Sequence, residues 1–402
     1  MQAAQDVTIA LQARRPLLAP EQQAKSKVRI GILFLYIFLL AGIARHLYHK
    51  PIYSMDSIQY MGNALLMEER DPVLIHQRVY GEVQRYVPKV EREGLLGHEV
   101  GAPSDQNKSR QERASNAYTF AEFLPLFAIR PLYNQSLWLV SKTGLGLVRA
   151  GILISVTSYF FLGILAFVWL GKYMSPVLTL AFSILLMVSP PLMDLGRETT
   201  ADSLATLVAF ASLYLIFEKQ RLFPGVILLL ASIYFRTDFV VLAGPVILAC
   251  WFERRLELWK ATVLTVVAVA SVLCINHFAG YYGVTMLYQH TFLGTVLAPG
   301  EIVAHFSFRD YVSAFRAGIT EWANSFFLPF LLLGLIGPVY GRMRVMFAVA
   351  VTYTCLHFVA LPNWEERYFG LFYLSMGVCA ATALGIAQKP PSTWDDSAQA
   401  HA

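Results

Sequence analysis

Ten runs of 14 to 24 residues carry little charge, at roughly 28–47, 147–170, 175–191, 201–217, 222–235, 239–252, 257–275, 322–340, 345–361 and 369–387. Inside hydrocarbon each backbone N–H and C=O must be satisfied within its own segment, so such runs fold as helices, and crossing a bilayer takes about 20 residues. Composition points the same way: 56% of the chain is hydrophobic, 15% is charged, and mean hydropathy is +0.50. That is more apolar surface than a water-soluble fold covers with polar groups. The expected class is an all-α polytopic membrane protein with about 10 transmembrane helices. The pair flanking Arg236 is too short for two full crossings, which implies a locally indented bilayer or helices that end in a protein-lined cavity.

Lys and Arg concentrate in cytoplasmic loops, so their distribution orients the chain. With the N-terminus inside, the interior segments collect about 14 basic residues, against about five in the short exterior loops (Arg197, Arg236, Arg309, Arg316 and Arg367). The organisation that follows is a cytoplasmic tail over 1–27, one membrane domain over 28–387, and a cytoplasmic tail over 388–402. A large first extracytoplasmic loop spans 48–146. The first apolar run lacks a small-residue cleavage site and reads as an uncleaved helix. In the large loop, VEREGLLGHEVGAPSDQNKSRQERAS reads as a mobile polar segment, and FAEFLPLFAIRPLYNQSLWLV as amphipathic helices along the outer surface with Tyr133 and Trp138 at headgroup level.

The net charge of +5 is accounted for by membrane orientation and calls for no nucleic-acid partner. Cys250, Cys274, Cys355 and Cys379 lie within or at the edge of apolar runs without metal-ligand or disulfide spacing, and read as buried packing residues. His277, His290 and His305 match no ligand pattern.

This topology gathers acids and arginines at the outer face. Asp56, in YSMDSIQY, opens the first outer loop. Asp194, Arg197 and Glu198 fill the second, Arg236 and Asp238 the third, and Glu365, Glu366 and Arg367 the last. Asp194, Glu198 and Asp202 recur every four residues, the spacing of one helix face, with Asp202 about a turn inside an apolar run. The alternative for these acids is a helix N-terminus with favourably placed charge, and for Asp56 an N-cap. Arg236 and Arg367 suit a lipid phosphate, because a guanidinium never deprotonates and binds oxyanions through two parallel hydrogen bonds. Each of them also has an acidic neighbour with which to pair.

MDSIQYMGNAL, RPLYNQSLWLVSKTGLG, SPPLMDLGRETTADSLATLVAFASLYLIFEK, YFRTDFVVLAGPVIL and EERYF together, in this order, resemble the GT-C superfamily of polytopic membrane glycosyltransferases. The likeness is to its polyprenyl-phosphate-sugar-dependent members, of the dolichyl-phosphate-mannose mannosyltransferase and aminoarabinose transferase type. The first loop has one acid where that family has a pair, and there is no WWDYG motif. The resemblance implies inverting transfer of a sugar from a polyprenyl-phosphate donor to a lipid- or glycan-linked acceptor at the exterior face. Asp56 and Glu198 would then be catalytic, with Asp56 the general base. Asp194, Arg197, Asp202, Arg236, Asp238, Glu366, Arg367 and Tyr60 would bind substrate. It leaves open a divalent cation, Mg or Mn; the compact chain without retention signals suits a bacterial inner membrane, with the active site facing the periplasm. The competing readings are a flippase or transporter of lipid-linked saccharide, and a polysaccharide polymerase.

Overall fold

The computed structural model describes residues 20–293, 296, 299–300, 307–336 and 342–387. Most of the expected N-terminal tail, all of the C-terminal tail, and His305 lie outside them. Among the described residues the chain is all helical. Among these residues five helices are long and apolar enough to cross a membrane: Val28–His49, Leu147–Leu170, Leu258–Phe278, Met343–Ala360 and Glu366–Leu384. Two further pairs, Pro176–Met187 with Pro190–Arg197 and Phe308–Ala323 with Phe327–Leu335, bend by 63° and 65° at a short break, and bring the total to seven if each is one span.

The ten apolar runs therefore do not all become helices of spanning length. Leu222–Phe235 and Val240–Phe252 have 14 and 13 residues. At 1.5 Å per residue they reach only ~20 Å, against ~30 Å of hydrocarbon. They end at Arg236, which is extended, and at the tight turn Thr237–Phe239.

The long helices pack through small residues. In α1 (Pro20–His49), the Tyr36 hydroxyl donates to the carbonyl of Gly163 at 2.9 Å, and a Cβ on Gly163 would lie 2.7 Å from Leu40. Only glycine allows this approach. Cys250 and Cys379 are buried as expected, but Cys274 and Cys355 are exposed on their helices and contribute nothing to the core.

The segment between the first two long helices folds as a helical cap: α2 (Met55–Leu65), α3 (Pro72–Tyr86), α4 (Lys89–Leu95), α5 (Ser104–Ser115), α6 (Ala117–Ala128) and α7 (Pro131–Val140). Asp71 caps α3 by accepting from the Val73 amide at 2.8 Å, with Pro72 pre-setting the first turn. Asn116 caps α6 through the amides of Tyr118 and Thr119.

Two expectations fail here. The polar run after Val87 is not a loop, because side chains close it into α4 and α5: Arg110 donates to the Gly94 carbonyl at 3.0 Å, Gln111 to Gly97 at 2.8 Å and Asn107 to Glu99 at 2.9 Å. Nor is Tyr133 an interfacial aromatic. It is fully buried, its ring is 4.9 Å from that of Tyr60, and its hydroxyl donates to the Thr199 carbonyl at 3.4 Å.

Candidate functional site

Asp56 sits in the first turn of α2, and that helix is buried from Ile58 to Leu65. Its seat is tight. Asn63 donates to the Leu124 carbonyl at 2.9 Å, and Gly62 leaves no room for a Cβ against Leu124 and Phe120. Just before α2 the chain makes a single parallel bridge between Ile52 and Glu198. The Ile52 amide donates to Arg197 at 2.9 Å, the Thr199 amide to Ile52 at 3.4 Å, and the Arg197 side chain to the Lys50 carbonyl at 2.8 Å. This backbone clasp fixes Glu198 next to the start of the cap.

Arg367, in the tight turn Glu366–Phe369, closes the arrangement. Its Nη2 donates to Asp56 at 3.2 Å and to the Tyr368 hydroxyl at 3.1 Å, its Nη1 to Glu198 at 2.5 Å, and its Nε to Glu365 at 2.6 Å. Asp202 lies 3.8 Å from the same Nε. One guanidinium is thus shared by four carboxylates, too many for it to neutralise. Burial pushes the Glu198 carboxyl up to about 7, with Arg367 opposing the shift and Asp202 and Glu365 adding to it.

Behind this centre lies a second, closed one. Arg236 binds Asp202 through Nη1, and Asp238 through Nε at 3.0 Å and Nη2 at 2.5 Å. His357 Nε2 lies 2.8 Å from the same Asp238 oxygen, Oδ2, that Arg236 Nη2 binds, and Thr200 donates to Asp202 at 2.5 Å. Arg236 is buried, and all three of its nitrogens already engage Asp202 or Asp238, so its charge is committed to these acids and it does not line the cavity.

A cavity of about 1010 Å³ opens between the cap, the Leu287–Thr291 stretch and the Asn363–Tyr368 turn. Asp56, Arg367, Glu365, Arg130, Arg113 and His290 all line it. Of the ten residues given a catalytic or substrate-binding role from the sequence, only Asp56 and Arg367 reach it, together with Glu365 from the same outer turn. Glu198 and Asp202 stand behind them on Arg367. Asp194 and Arg197 pair with each other at 3.1 Å, away from the cavity. Tyr60 is buried in the cap and accepts from Arg130. Glu366 turns the opposite way: it accepts from the Phe326 amide at 2.9 Å and from Tyr373, and so fastens the bent pair to the last helix.

The sequence pattern gave no site role to Arg130, Arg113 or His357, and took Glu365 only as a neighbour of Arg367. Arg130 precedes Pro131 at the start of α7; among the described residues its side chain donates only to the Tyr60 hydroxyl, across whose ring it also stacks at 5.2 Å. Among the described residues neither Arg130 nor Arg113 has a carboxylate within 4 Å, so these two are the open cations of the cavity. The signal for His357 was available, a lone ionisable residue in an apolar run. That for Arg113 was not, because nothing local distinguishes it from its polar neighbours.

The carboxylates do not fit a divalent cation. Among the described residues no group of three or more His, Cys, Asp or Glu side chains is placed to hold a metal, and Arg367 occupies the point on which the acids converge. No protein-family model, no curated protein and no solved structure matches the chain.

Proposed function

We propose that the protein is a membrane glycosyltransferase that moves a sugar from a polyprenyl-phosphate donor to an acceptor hydroxyl, with Asp56 as general base. The observation that carries this reading is one carboxylate, Asp56, oriented by Arg367 and facing a cavity large enough for a sugar and its acceptor. In this reading the apolar helices cross a bacterial inner membrane about ten times, the cap faces the exterior, and the cavity lies at the membrane surface.

The reaction is a direct displacement. The acceptor oxygen forms a bond to the anomeric carbon, its proton passes to Asp56, and the carbon–oxygen bond to the lipid phosphate breaks with the electron pair leaving on phosphate. Configuration at the anomeric carbon inverts. Arg130, open toward the cavity, takes the departing phosphate and stabilises its developing charge. Arg367 does not bind the lipid phosphate in this scheme; it fixes Asp56 and Glu198. Asp202 and Glu198 hold Arg367 from behind.

The two bent helix pairs favour a second reading, a flippase, because transporters use interrupted helices. Reconstitution of the full chain in liposomes with a polyprenyl-phosphate sugar and a panel of acceptors separates the two. A transferase consumes the donor and releases polyprenyl phosphate without net movement of the lipid. Movement of intact donor without consumption would overturn the proposal in favour of transport.

A further inference from the structure

The cavity has a second polar wall that the transfer chemistry does not use. Arg113, on α5, is 4% exposed and lines the cavity. Its Nε donates to the Ser109 carbonyl at 3.1 Å, and its guanidinium lies 4.4 Å from the centre of the Phe123 ring. Neither terminal nitrogen has a hydrogen-bond partner among the described residues. Burying a cation without a counter-charge is costly, and stacking on one ring recovers only about 1–2 kcal/mol of that cost.

His290 stands on the same ring. Its imidazole meets Phe123 edge-on at 5.4 Å, and its Nδ1 accepts from the Val296 amide at 3.3 Å. Burial, reinforced by Arg113, pushes His290 down to about 4, so it is neutral at pH 7. With Nδ1 accepting, the single ring proton sits on Nε2, and His290 is a donor with no acceptor among the described residues. Phe123 is itself fully buried in a small core with Leu126, Met286 and Val296, which locks both side chains in place.

We propose that Arg113 and His290 form an anion subsite that takes a carboxylate or phosphate on the acceptor. This rests on the glycosyltransferase reading for the word acceptor, but not for the anion. The assignment to the acceptor and not to the lipid donor follows from α5, the wall that carries Arg113. Only Ser109 and Arg113 of its twelve residues are buried, and it has no apolar face to lie on a bilayer. A group bound there belongs to the water-side portion of the substrate. Arg130, at the start of the helix that leads into the second long span, remains for the lipid phosphate.

The test uses the purified full chain in nanodiscs, with thermal unfolding followed against inorganic phosphate, glucuronate and, as neutral control, glucose. Saturable stabilisation is expected with glucuronate or phosphate and none with glucose. Arg113→Gln should weaken anion binding about 10- to 100-fold, the loss of charge-assisted hydrogen bonds, while Arg113→Lys retains part of it, and Asp56→Asn, which removes a negative charge facing both groups, retains or tightens it. Equal anion binding in Arg113→Gln, or an equal response to glucose, would overturn the subsite. Should Arg113→Gln not fold, His290→Phe keeps the ring packing and removes the donor, and full anion binding in it has the same consequence. Anion binding in a protein without transfer activity would sink the transferase reading and leave the subsite standing. Transfer to anionic acceptors undiminished in Arg113→Gln would do the reverse.

Discussion

Arg367 and Asp56 lie 3.2 Å apart although 311 residues separate them. The contact joins the first turn of the cap to the turn before the last helix, so the whole bundle must close before Asp56 is oriented. Asp56→Asn keeps an oxygen that accepts from Arg367 and removes only the basicity. Sugar transfer in membranes should fall by about 10²- to 10⁴-fold, with expression, thermal stability and donor binding near wild type. Undiminished turnover in this variant would remove Asp56 from the chemistry.

Arg236, which the sequence pattern offers for a phosphate, and Arg130, which it does not, exchange roles in the folded chain. Arg236 already carries Asp202 and Asp238, and its removal takes the main counter-charge from both acids, leaving Asp202 to Thr200 and the more distant Arg367 and Asp238 to His357. Arg236→Met should therefore cost about 3–5 kcal/mol of stability, seen as a lower unfolding temperature or loss of folded protein. Arg130→Met is expected to leave Tyr60 and the fold largely intact and to weaken donor affinity. The assignment fails if Arg236→Met folds normally and loses only donor affinity.

Charge and hydropathy made the class, the long apolar helices and the acid and Arg turns legible, because a membrane span and its flanking charges are written in contiguous residues. The meeting of Asp56, Glu198, Asp202 and Arg367 was legible only as a shared side of the membrane. What escaped depends on packing. Whether Arg236 or Arg130 is the open cation is decided by which carboxylates fold against each, and Glu198 comes beside the cap through backbone bonds to Ile52 that no side-chain pattern encodes. The polar stretch read as a loop is helical because Arg110, Asn107 and Gln111 bond to carbonyls eight to sixteen residues away.

That stretch supplies a wall of the cavity, and Gly97 sets its turn. Gly97 has φ +85, and a Cβ there would stand 2.4 Å from the Asn107 carbonyl oxygen. Gly97→Ala should strain α4 against α5 at a cost of about 1–3 kcal/mol. Amide exchange of residues 89–115 should accelerate while the long apolar helices stay protected. Uniform protection across the cap would mean that the Gly97 turn does not hold this wall.

Glu198 gives the fold a pH dependence of defined sign. Its carboxyl rises from 4.5 to about 7 on folding, so between these values the folded chain binds a proton that the unfolded chain has released. The stabilisation is complete below pH 4.5, is lost progressively as pH rises to about 7, and changes no further above that. The loss is on the order of 3 kcal/mol, because burial disfavours the ionised carboxylate, and Asp202 and Glu365 add to that against the opposing pull of Arg367. Glu198→Gln holds the neutral form at every pH and still accepts from Arg367. Its unfolding temperature should exceed that of wild type at pH 8, match it near pH 4.5, and lack the wild-type decline between them. A parallel decline in both proteins would show that the proton resides elsewhere in the Arg367 cluster.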